Sequence, residues 1–104
     1  MKEDDSGFVY ILANRPMGMT YIGSTSDLQS RIWQHKNKFF KDSYTDKFNI
    51  DQLVYWEEFG TIIEAHQRER QLKEWHKNWK WRLIIDFNPN WTDLSLKMFG
   101  NLKD

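Results

Sequence analysis

Five residues in this chain carry side chains that can move protons or bind ions, and their spacing suits a shared site. Tyr10 and Tyr21 lie in the middle of two short runs of aromatic and aliphatic residues. Arg31 and His35 are separated by about one helical turn, and Glu69 follows in a later segment. Phenols, imidazoles and carboxylates transfer protons, while a guanidinium binds anions. These groups form a site only if a sheet and two helices bring them together.

The two tyrosines are predicted to share one face of a β-hairpin. Both runs are strand-like, and the residues between them favour a turn. If the turn pairs Arg15 with Gly18, Tyr10 lies opposite Gly23, and Tyr21 is its diagonal neighbour on the same face. A glycine at position 23 would leave the backbone accessible beside the phenols. The alternative is that aromatic residues are here only because they favour strands.

A first helix is predicted to carry the arginine and the histidine. Ser26 followed by Gln29 resembles a capping box, so a helix is expected over residues 27–37. Arg31 and His35 then border the apolar stripe that faces the sheet. The alternative for His35 is a structural histidine whose hydrogen bonds are satisfied in the core.

A second helix is predicted to carry the glutamate. Thr61 and Glu64 form another capping-box pattern, and the stripe that follows extends to His76. Glu69 lies in the middle of that apolar stripe, where a carboxylate is costly unless it is paired or holds a metal. One alternative is an ordinary buried ion pair between Glu69 and Arg31. Otherwise, we expect the tyrosines and this charged pair to converge on one concave surface.

The overall pattern predicts an α/β fold, an α+β sandwich in which a three-stranded antiparallel sheet is flanked by helices. The other expected elements are a mobile loop over residues 38–49, a third strand over 53–59, a helix from about 77 and a short helix from Thr92. We expect a single domain over residues 1–104, with its core at about 7–91.

Two tripeptides, a charged pair and a glutamate follow one another along the chain in a recognisable order. The tripeptides are Phe8-Val9-Tyr10 and Tyr21-Ile22-Gly23, and Arg31, His35 and Glu69 come after them. In this order and spacing the chain resembles the GIY-YIG nuclease family, which is named for its two tripeptides. The first tripeptide has Phe and Val where the family name has Gly and Ile, but it keeps the tyrosine.

The resemblance covers nearly the whole chain. It is closest to small single-domain bacterial members that resemble the nuclease part of the excision-repair incision subunit. That branch has a Leu-Lys-x-Trp segment, a basic stretch and an Asn-Pro-x-Trp ending. The matching segments here are Leu72-Lys73-Glu74-Trp75, residues 77–82 and Asn88-Pro89-Asn90-Trp91.

The resemblance implies a metal-dependent DNA endonuclease that hydrolyses phosphodiester bonds in DNA repair or processing. Glu69 would hold a single Mg²⁺ or Mn²⁺ together with water molecules. Arg31 would lie against the scissile phosphate, and Tyr10, Tyr21 or His35 would accept the proton of the attacking water. A tyrosine base would need a nearby cation, such as Arg31 or the metal, to lower its pKa. The alternative is a nucleic-acid-binding or protein-interaction module that keeps the fold and turns over weakly or not at all.

Further positions are implied for the motif backbone and for DNA binding. Gly23 belongs to the second tripeptide, and Asn88 loosely matches an asparagine that closes the site in the family. The chain has no net charge, but residues 29–49 hold five Lys or Arg against two Asp, and residues 66–82 hold six against two Glu. Such patches neutralise phosphates, although single lysines can equally be part of a solvated helix face. The cations expected to contact DNA are Arg31, Lys36, Lys38, Arg68, Lys73, Lys77 and Lys80.

Composition adds expectations about the compartment and the tryptophans. There is no cysteine, no apolar run long enough to span a bilayer and no charged-then-apolar leader, so we expect a cytoplasmic protein without membrane contact. Trp75 and Trp79 are expected to pack in the core, and Trp33 is expected to be exposed. The sequence identifies no protein partner and no oligomeric state.

Overall fold

A three-stranded antiparallel sheet with strand order β2-β1-β3 organises the chain. The computed structural model describes residues 6–104. The strands are β1 (Gly7–Ala13), β2 (Thr20–Thr25) and β3 (Gln52–Phe59). The helices are α1 (Leu28–Lys36), α2 (Tyr44–Lys47), α3 (Ile62–Lys73), α4 (Lys77–Phe87) and α5 (Leu94–Phe99). The predicted α+β architecture is therefore confirmed.

The hairpin has the predicted register, with Tyr10 paired to Gly23. Its turn closes through a 3.0 Å hydrogen bond from the Gly18 N–H to the Arg15 carbonyl. A Cβ at Gly18 would lie 2.3 Å from Asn14 Oδ1, so glycine is needed there for close contact.

Apolar side chains bury both faces of the sheet, and β1 contributes to both. One face packs against α3 and α4 through a cluster of buried residues, which are Val9, Ile11, Ala13, Ile22, Val54, Tyr55, Ala65, Leu72, Ile84 and Trp91. The other face packs against α1 and α5 and has a second cluster, which is Tyr10, Leu12, Leu28, Ile32, Ile50 and Leu53. Because side chains alternate along a strand, Tyr10 belongs to the α1 face and its neighbour Val9 to the α3 face.

The first long helix begins one residue later than the capping pattern predicted. Asp27, not Ser26, caps α1, because its carboxylate accepts a 3.1 Å hydrogen bond from the Ser30 N–H. The capping box between Ser26 and Gln29 was therefore a wrong prediction. The shift leaves Arg31 half-buried and His35 buried, as expected at the border of the packed stripe.

Helix α3 begins as predicted but ends earlier. Thr61 Oγ1 accepts a 3.1 Å hydrogen bond from the Glu64 N–H, which confirms the second cap. The helix ends at Lys73, and His76 is an exposed residue that precedes α4. The apolar stripe therefore does not reach His76, contrary to the prediction.

The middle and the end of the chain contain more structure than expected. The predicted loop over residues 38–49 contains the short helix α2, which begins after the Ser43 cap. The last helix is capped by Asp93 and not by Thr92. Leu94, Phe99 and Leu102 pack against the α1-face cluster, so the core extends past residue 91.

Lys36 has a structural position that excludes its predicted contact with DNA. Its side chain is buried, and its ammonium donates to Asp93 Oδ2 at 2.6 Å and to the Asp51 carbonyl at 2.9 Å. Asp93 also accepts a 3.1 Å hydrogen bond from the Leu53 N–H. Lys36 therefore connects α1 to α5 and β3, and its charge is not available to a phosphate.

The burial of the tryptophans differs in part from the prediction. Trp91 is buried and Trp75 is half-buried, but Trp79 is 59% exposed, so its assignment to the core was wrong. Trp33 is exposed, as expected. Among residues 6–104, no helix has both the length and the apolar character needed to cross a bilayer.

Replacing Lys36 by Met should destabilise the fold by about 3 kcal/mol, because removing one partner of a buried ion pair leaves the other charge without compensation. Lys38→Met is the matched control, since Lys38 forms a 3.4 Å ion pair with Asp46 near the surface and such pairs contribute about 1 kcal/mol or less. Urea unfolding measures both. Equal losses in the two variants would contradict the structural role of Lys36.

Candidate active site

A cleft of about 220 Å³ opens between the hairpin, α1 and α2. Three of the predicted catalytic residues, Tyr21, Arg31 and His35, line it. The other lining residues are Phe40, Ser43, Tyr44 and Thr45, which come from the segment that was predicted to be a loop. The segment was expected to be a loop that could close on substrate, but its sequence did not point to these four residues individually, because it has no helical stripe.

An aromatic cluster forms the floor of this cleft. The ring centroids of Tyr10 and Tyr21 are 6.4 Å apart, and His35 lies 5.9 Å from the first and 5.6 Å from the second. Phe40 covers His35 at 5.2 Å. Tyr10 is fully buried while Tyr21 is half-buried, so only the second phenol is open to the cleft.

Gly23 makes room for the Tyr10 phenol. A Cβ at position 23 would lie 2.4 Å from the Tyr10 hydroxyl oxygen and 2.6 Å from its Cζ. No side chain fits there without displacing the ring. The expectation that Gly23 leaves its backbone accessible was wrong, since the Tyr10 ring covers it.

His35 is neutral near pH 7. Burial, followed by the charge of Arg31, lowers the pKa of His35 to about 4. Its Nε2 lies 3.3 Å from the Tyr10 hydroxyl and its Nδ1 lies 3.3 Å from Thr45 Oγ1. A neutral imidazole accepts a hydrogen bond at one nitrogen and donates at the other, so both nitrogens are already used within the protein.

Tyr10 stays protonated. Burial, together with Tyr21, raises its pKa well above the ordinary value, and the Arg31 guanidinium lowers it only in part. Arg31 by itself therefore does not bring the pKa of Tyr10 down to its ordinary value. The charge of Glu69 also raises the pKa of Tyr10, so these two side chains interact electrostatically.

Arg31 keeps its charge available to a ligand. Its guanidinium lies 5.9 Å from the Phe40 ring centroid at the wall of the cleft. Among residues 6–104, no carboxylate forms an ion pair with Arg31. The alternative of a buried pair between Arg31 and Glu69 is therefore wrong.

Glu69 is held by a hydroxyl and an ammonium. Its Oε1 accepts a short hydrogen bond from Ser24 Oγ, and its Oε2 lies 2.6 Å from Lys73 Nζ. Ser24 Oγ is also 2.7 Å from His66 Nδ1. The sequence analysis missed Ser24 and His66, although Ser24 directly follows the second tripeptide and His66 lies one helical turn before Glu69.

The predicted residues do not all lie on one face of the sheet. Ser24 pairs with Val9, so the side chain that binds Glu69 points to the α3 face, opposite to Tyr10. The expectation of one concave sheet surface is therefore wrong in that form. Strand β2 is an edge strand, and the two groups of residues lie on either side of it.

The donor set around Glu69 suits a hard cation. Mg²⁺ and Mn²⁺ prefer oxygen ligands and keep several waters when one carboxylate holds them, and the Ser24 hydroxyl lies beside that carboxylate. Lys73 already holds a positive charge against Oε2. Within the described residues, no three His, Asp or Glu side chains group closely enough to form a protein-only metal cage.

Asn88 does not belong to the site. Its amide donates to the Val54 carbonyl at 3.2 Å and to the Thr92 carbonyl at 2.8 Å, and its oxygen accepts from the Thr92 N–H at 3.2 Å. Asn88 is buried and closes the turn after α4. Its loose assignment as a residue that closes the site is therefore not supported.

Some of the predicted DNA-binding cations are engaged elsewhere. Arg68 forms a two-point ion pair with Glu57, at 2.9 and 3.1 Å, and stacks over Trp75. It links α3 to β3, so the prediction that it contacts DNA is not supported. Lys38 lies close to Asp46 and Asn49. Lys77 and Lys80 instead line a second groove.

Phe8, the unusual residue of the first tripeptide, does not narrow the cleft. Its ring lies 6.3 Å from Trp56 and packs against the α1-face cluster. It is absent from the residues that line the cleft.

His35→Gln should remove part of the acid sensitivity of the fold. Because the folded-state pKa of His35 is lowered to about 4, the unfolded state binds more protons between that value and about 6.5. Stability should therefore be full above pH 6.5 and should fall by about 3 kcal/mol as the pH drops to 4. Urea unfolding across this range should show a shallower fall in His35→Gln. Parallel curves would contradict the assignment of a buried neutral His35.

Comparison with known proteins gives a consistent result. A family model described as the GIY-YIG catalytic domain matches residues 6–82. A UPF0213 protein of Staphylococcus saprophyticus is 35% identical over 82 residues, which are 79% of this chain and 98% of the relative. A UPF0213 protein of Staphylococcus aureus is 36% identical over 80 residues, which are 77% of this chain and 95% of the relative. No solved structure gives a significant match.

These matches cover most of this chain and nearly all of each relative. They confirm the resemblance that was drawn from the two tripeptides, and the three-stranded sheet with its helices agrees with that fold. The chain belongs to the GIY-YIG catalytic-domain family, a nuclease family, and its relatives are small bacterial proteins.

Proposed function

We propose that this protein is a divalent-metal-dependent DNA endonuclease that hydrolyses phosphodiester bonds. The observation that carries the proposal is the arrangement around strand β2. On one side, a cleft is lined by Tyr21 and by the guanidinium of Arg31, which has no acidic partner among residues 6–104. On the other side, Glu69 is held by Ser24. Hydrolysis of a phosphodiester needs positive charge, proton transfer and a cation site, and this arrangement offers a group for each.

Arg31 would bind the scissile phosphate. A guanidinium carries its charge at any physiological pH and matches two phosphate oxygens at once. Its contact with Phe40 fixes it at the cleft wall, and its charge is not neutralised by a carboxylate among the described residues. Arg31 would therefore stabilise the negative charge that grows on the phosphate oxygens in the transition state.

Tyr21 is the best candidate for handling the proton of the attacking water. Tyr10 is fully buried and has a raised pKa, while both ring nitrogens of His35 are engaged with Tyr10 and Thr45. Of Tyr10, Tyr21 and His35, Tyr21 is the one that is half-buried and presents a hydroxyl group in the cleft. In this scheme Tyr10 and His35 hold the ring of Tyr21 in place.

Glu69, with Ser24 beside it, would hold a single Mg²⁺ or Mn²⁺. Such an ion, when bound, stabilises charge on a leaving oxygen and lowers the pKa of coordinated water. Ser24 orients the carboxylate through Oε1 and leaves Oε2 to the cation that lies there, which in this structure is the Lys73 ammonium.

The substrate class and setting follow from the chemistry. A polyanionic substrate suits a protein that has no net charge but groups its cations in local patches. Membership of a nuclease family favours DNA as that polyanion. We propose a role in DNA repair or processing. We place that role in the bacterial cytoplasm, because the DNA of bacteria lies there.

One observation favours a second candidate function. The Lys73 ammonium neutralises Glu69 in this structure. If that ion pair persists when a divalent metal is present, the protein would be a nucleic-acid-binding or interaction module that keeps the fold and turns over weakly or not at all.

Glu69→Gln should reduce metal-dependent nicking of supercoiled plasmid by about 10²-fold or more. It should change DNA affinity little, because Gln keeps the shape of the side chain. Stability should change by about 1 kcal/mol or less, since the ion pair that is lost involves the exposed Lys73. Glu64→Gln, on the same helix, is the control. Wild-type cleavage by Glu69→Gln would sink the assignment, and no cleavage by the wild type with Mg²⁺ or Mn²⁺ would favour the binding module.

Lys73→Met should tighten Mn²⁺ binding about fivefold, because the exposed ion pair that competes with the metal contributes about 1 kcal/mol. Calorimetric titration without DNA measures the affinity directly. Lys97→Met, on α5, is the control and should bind Mn²⁺ as the wild type does. Unchanged affinity in Lys73→Met would show that the metal does not compete for Glu69.

A further inference from the structure

A second groove adjoins the cleft. It has a volume of about 340 Å³ and lies between the hairpin turn and the start of α4. Tyr44 lines both the groove and the cleft, and Thr20 in the groove directly precedes Tyr21 in the cleft. The two depressions therefore meet at Tyr44.

This groove is strongly basic. Three cations line it, Arg15, Lys77 and Lys80, and none of the described residues that line it carries a carboxylate. No ion pair connects any of the three to an acid within residues 6–104. By contrast, four other cations of the molecule each have an acidic partner, and these are Lys36, Lys38, Arg68 and Lys73. A protein without net charge thus presents next to its cleft a patch of three positive charges that no acid of residues 6–104 pairs with.

The groove is also held in shape by local contacts. Lys77 Nζ lies 4.7 Å from the centroid of the Trp81 ring, which places the ammonium at the wall. The tight turn fixes the backbone of Arg15 through its hydrogen bond with Gly18, and Met17 takes a left-handed φ of 58°. A cation that is already positioned, as the Lys77 ammonium is, binds a polyanion with less loss of conformational freedom.

We propose that this groove binds the sugar-phosphate backbone of DNA and extends the substrate path from the cleft, past Tyr44, to α4. The proposal rests on DNA as the substrate of the proposed function. It adds Arg15 and the hairpin turn to the DNA-binding surface and joins them to Lys77 and Lys80. Contacts of this kind carry no base information, so the groove should bind all sequences alike.

The test is fluorescence anisotropy with a labelled duplex in the presence of a chelator, so that no cleavage occurs. Arg15→Ala and Lys80→Ala should each weaken binding about three- to tenfold at low salt. Each should also flatten the slope of log affinity against log salt by about 0.9, as expected for one lost phosphate contact. Lys97→Ala, on α5, is the control, because Lys97 lines neither the groove nor the cleft. Thermal melting verifies that the exposed Arg15 can be replaced without loss of the fold.

Wild-type affinity and slope in both groove variants would overturn the proposal, as would the absence of any salt-dependent DNA binding by the wild type. The plasmid nicking assay tests the proposed endonuclease activity independently of the groove. Nicking by a wild type whose groove variants bind normally would overturn the groove alone. Weaker binding by the groove variants of a protein that does not nick would support the groove and end the endonuclease proposal.

Discussion

The contact between Tyr10 and the bare backbone of Gly23 determines where the other groups of the cleft can lie. The hairpin register places these residues opposite each other, and a Cβ at position 23 would lie 2.4 Å from the phenol oxygen. With the ring seated there, its hydroxyl meets His35 on α1, and His35 in turn meets Thr45 on α2. The absence of a side chain at position 23 thus allows β1, α1 and α2 to meet in the cleft.

The edge position of β2 is the second constraint. Glu69 belongs to a helix on one face of the sheet, and the cleft opens on the other. A strand in the middle of the sheet would separate Glu69 from the cleft, but an edge strand has no neighbouring strand on one side. Ser24 points from that strand to Glu69, while its neighbour Gly23 supports Tyr10. The charge of Glu69 still raises the pKa of Tyr10, so these two side chains interact electrostatically across β2.

The sequence predicted what depends on local pattern and on pairing parity. The expected pairing of Arg15 with Gly18 in the turn was sufficient for the hairpin register, and the capping pattern of Thr61 and Glu64 was sufficient for the start of α3. It could not predict which charges pair. Lys36 and Arg68 look like surface cations in the sequence, but Lys36 pairs with Asp93 and Arg68 pairs with Glu57, each in a different element.

The expectation of one concave sheet surface failed for a related reason. Parity within a hairpin shows which residues share a sheet face, but it does not show on which face a later helix packs. Asn88 illustrates a related limit, since a motif match places it in the sequence but not near the cleft. Ser24 was overlooked because a small hydroxyl residue after a glycine carries no distinctive signal until its partner on α3 is known.

In the proposed function, Glu69 and the cleft act as one centre across β2. Paramagnetic broadening of the histidine ring signals by Mn²⁺ can show whether they do, because His66 contacts Ser24 beside Glu69 and His35 lies in the cleft. Substoichiometric Mn²⁺ should broaden both His66 and His35 in the wild type and neither in Glu69→Gln. Broadening of His66 with a sharp His35 signal would show two separate sites and contradict this account.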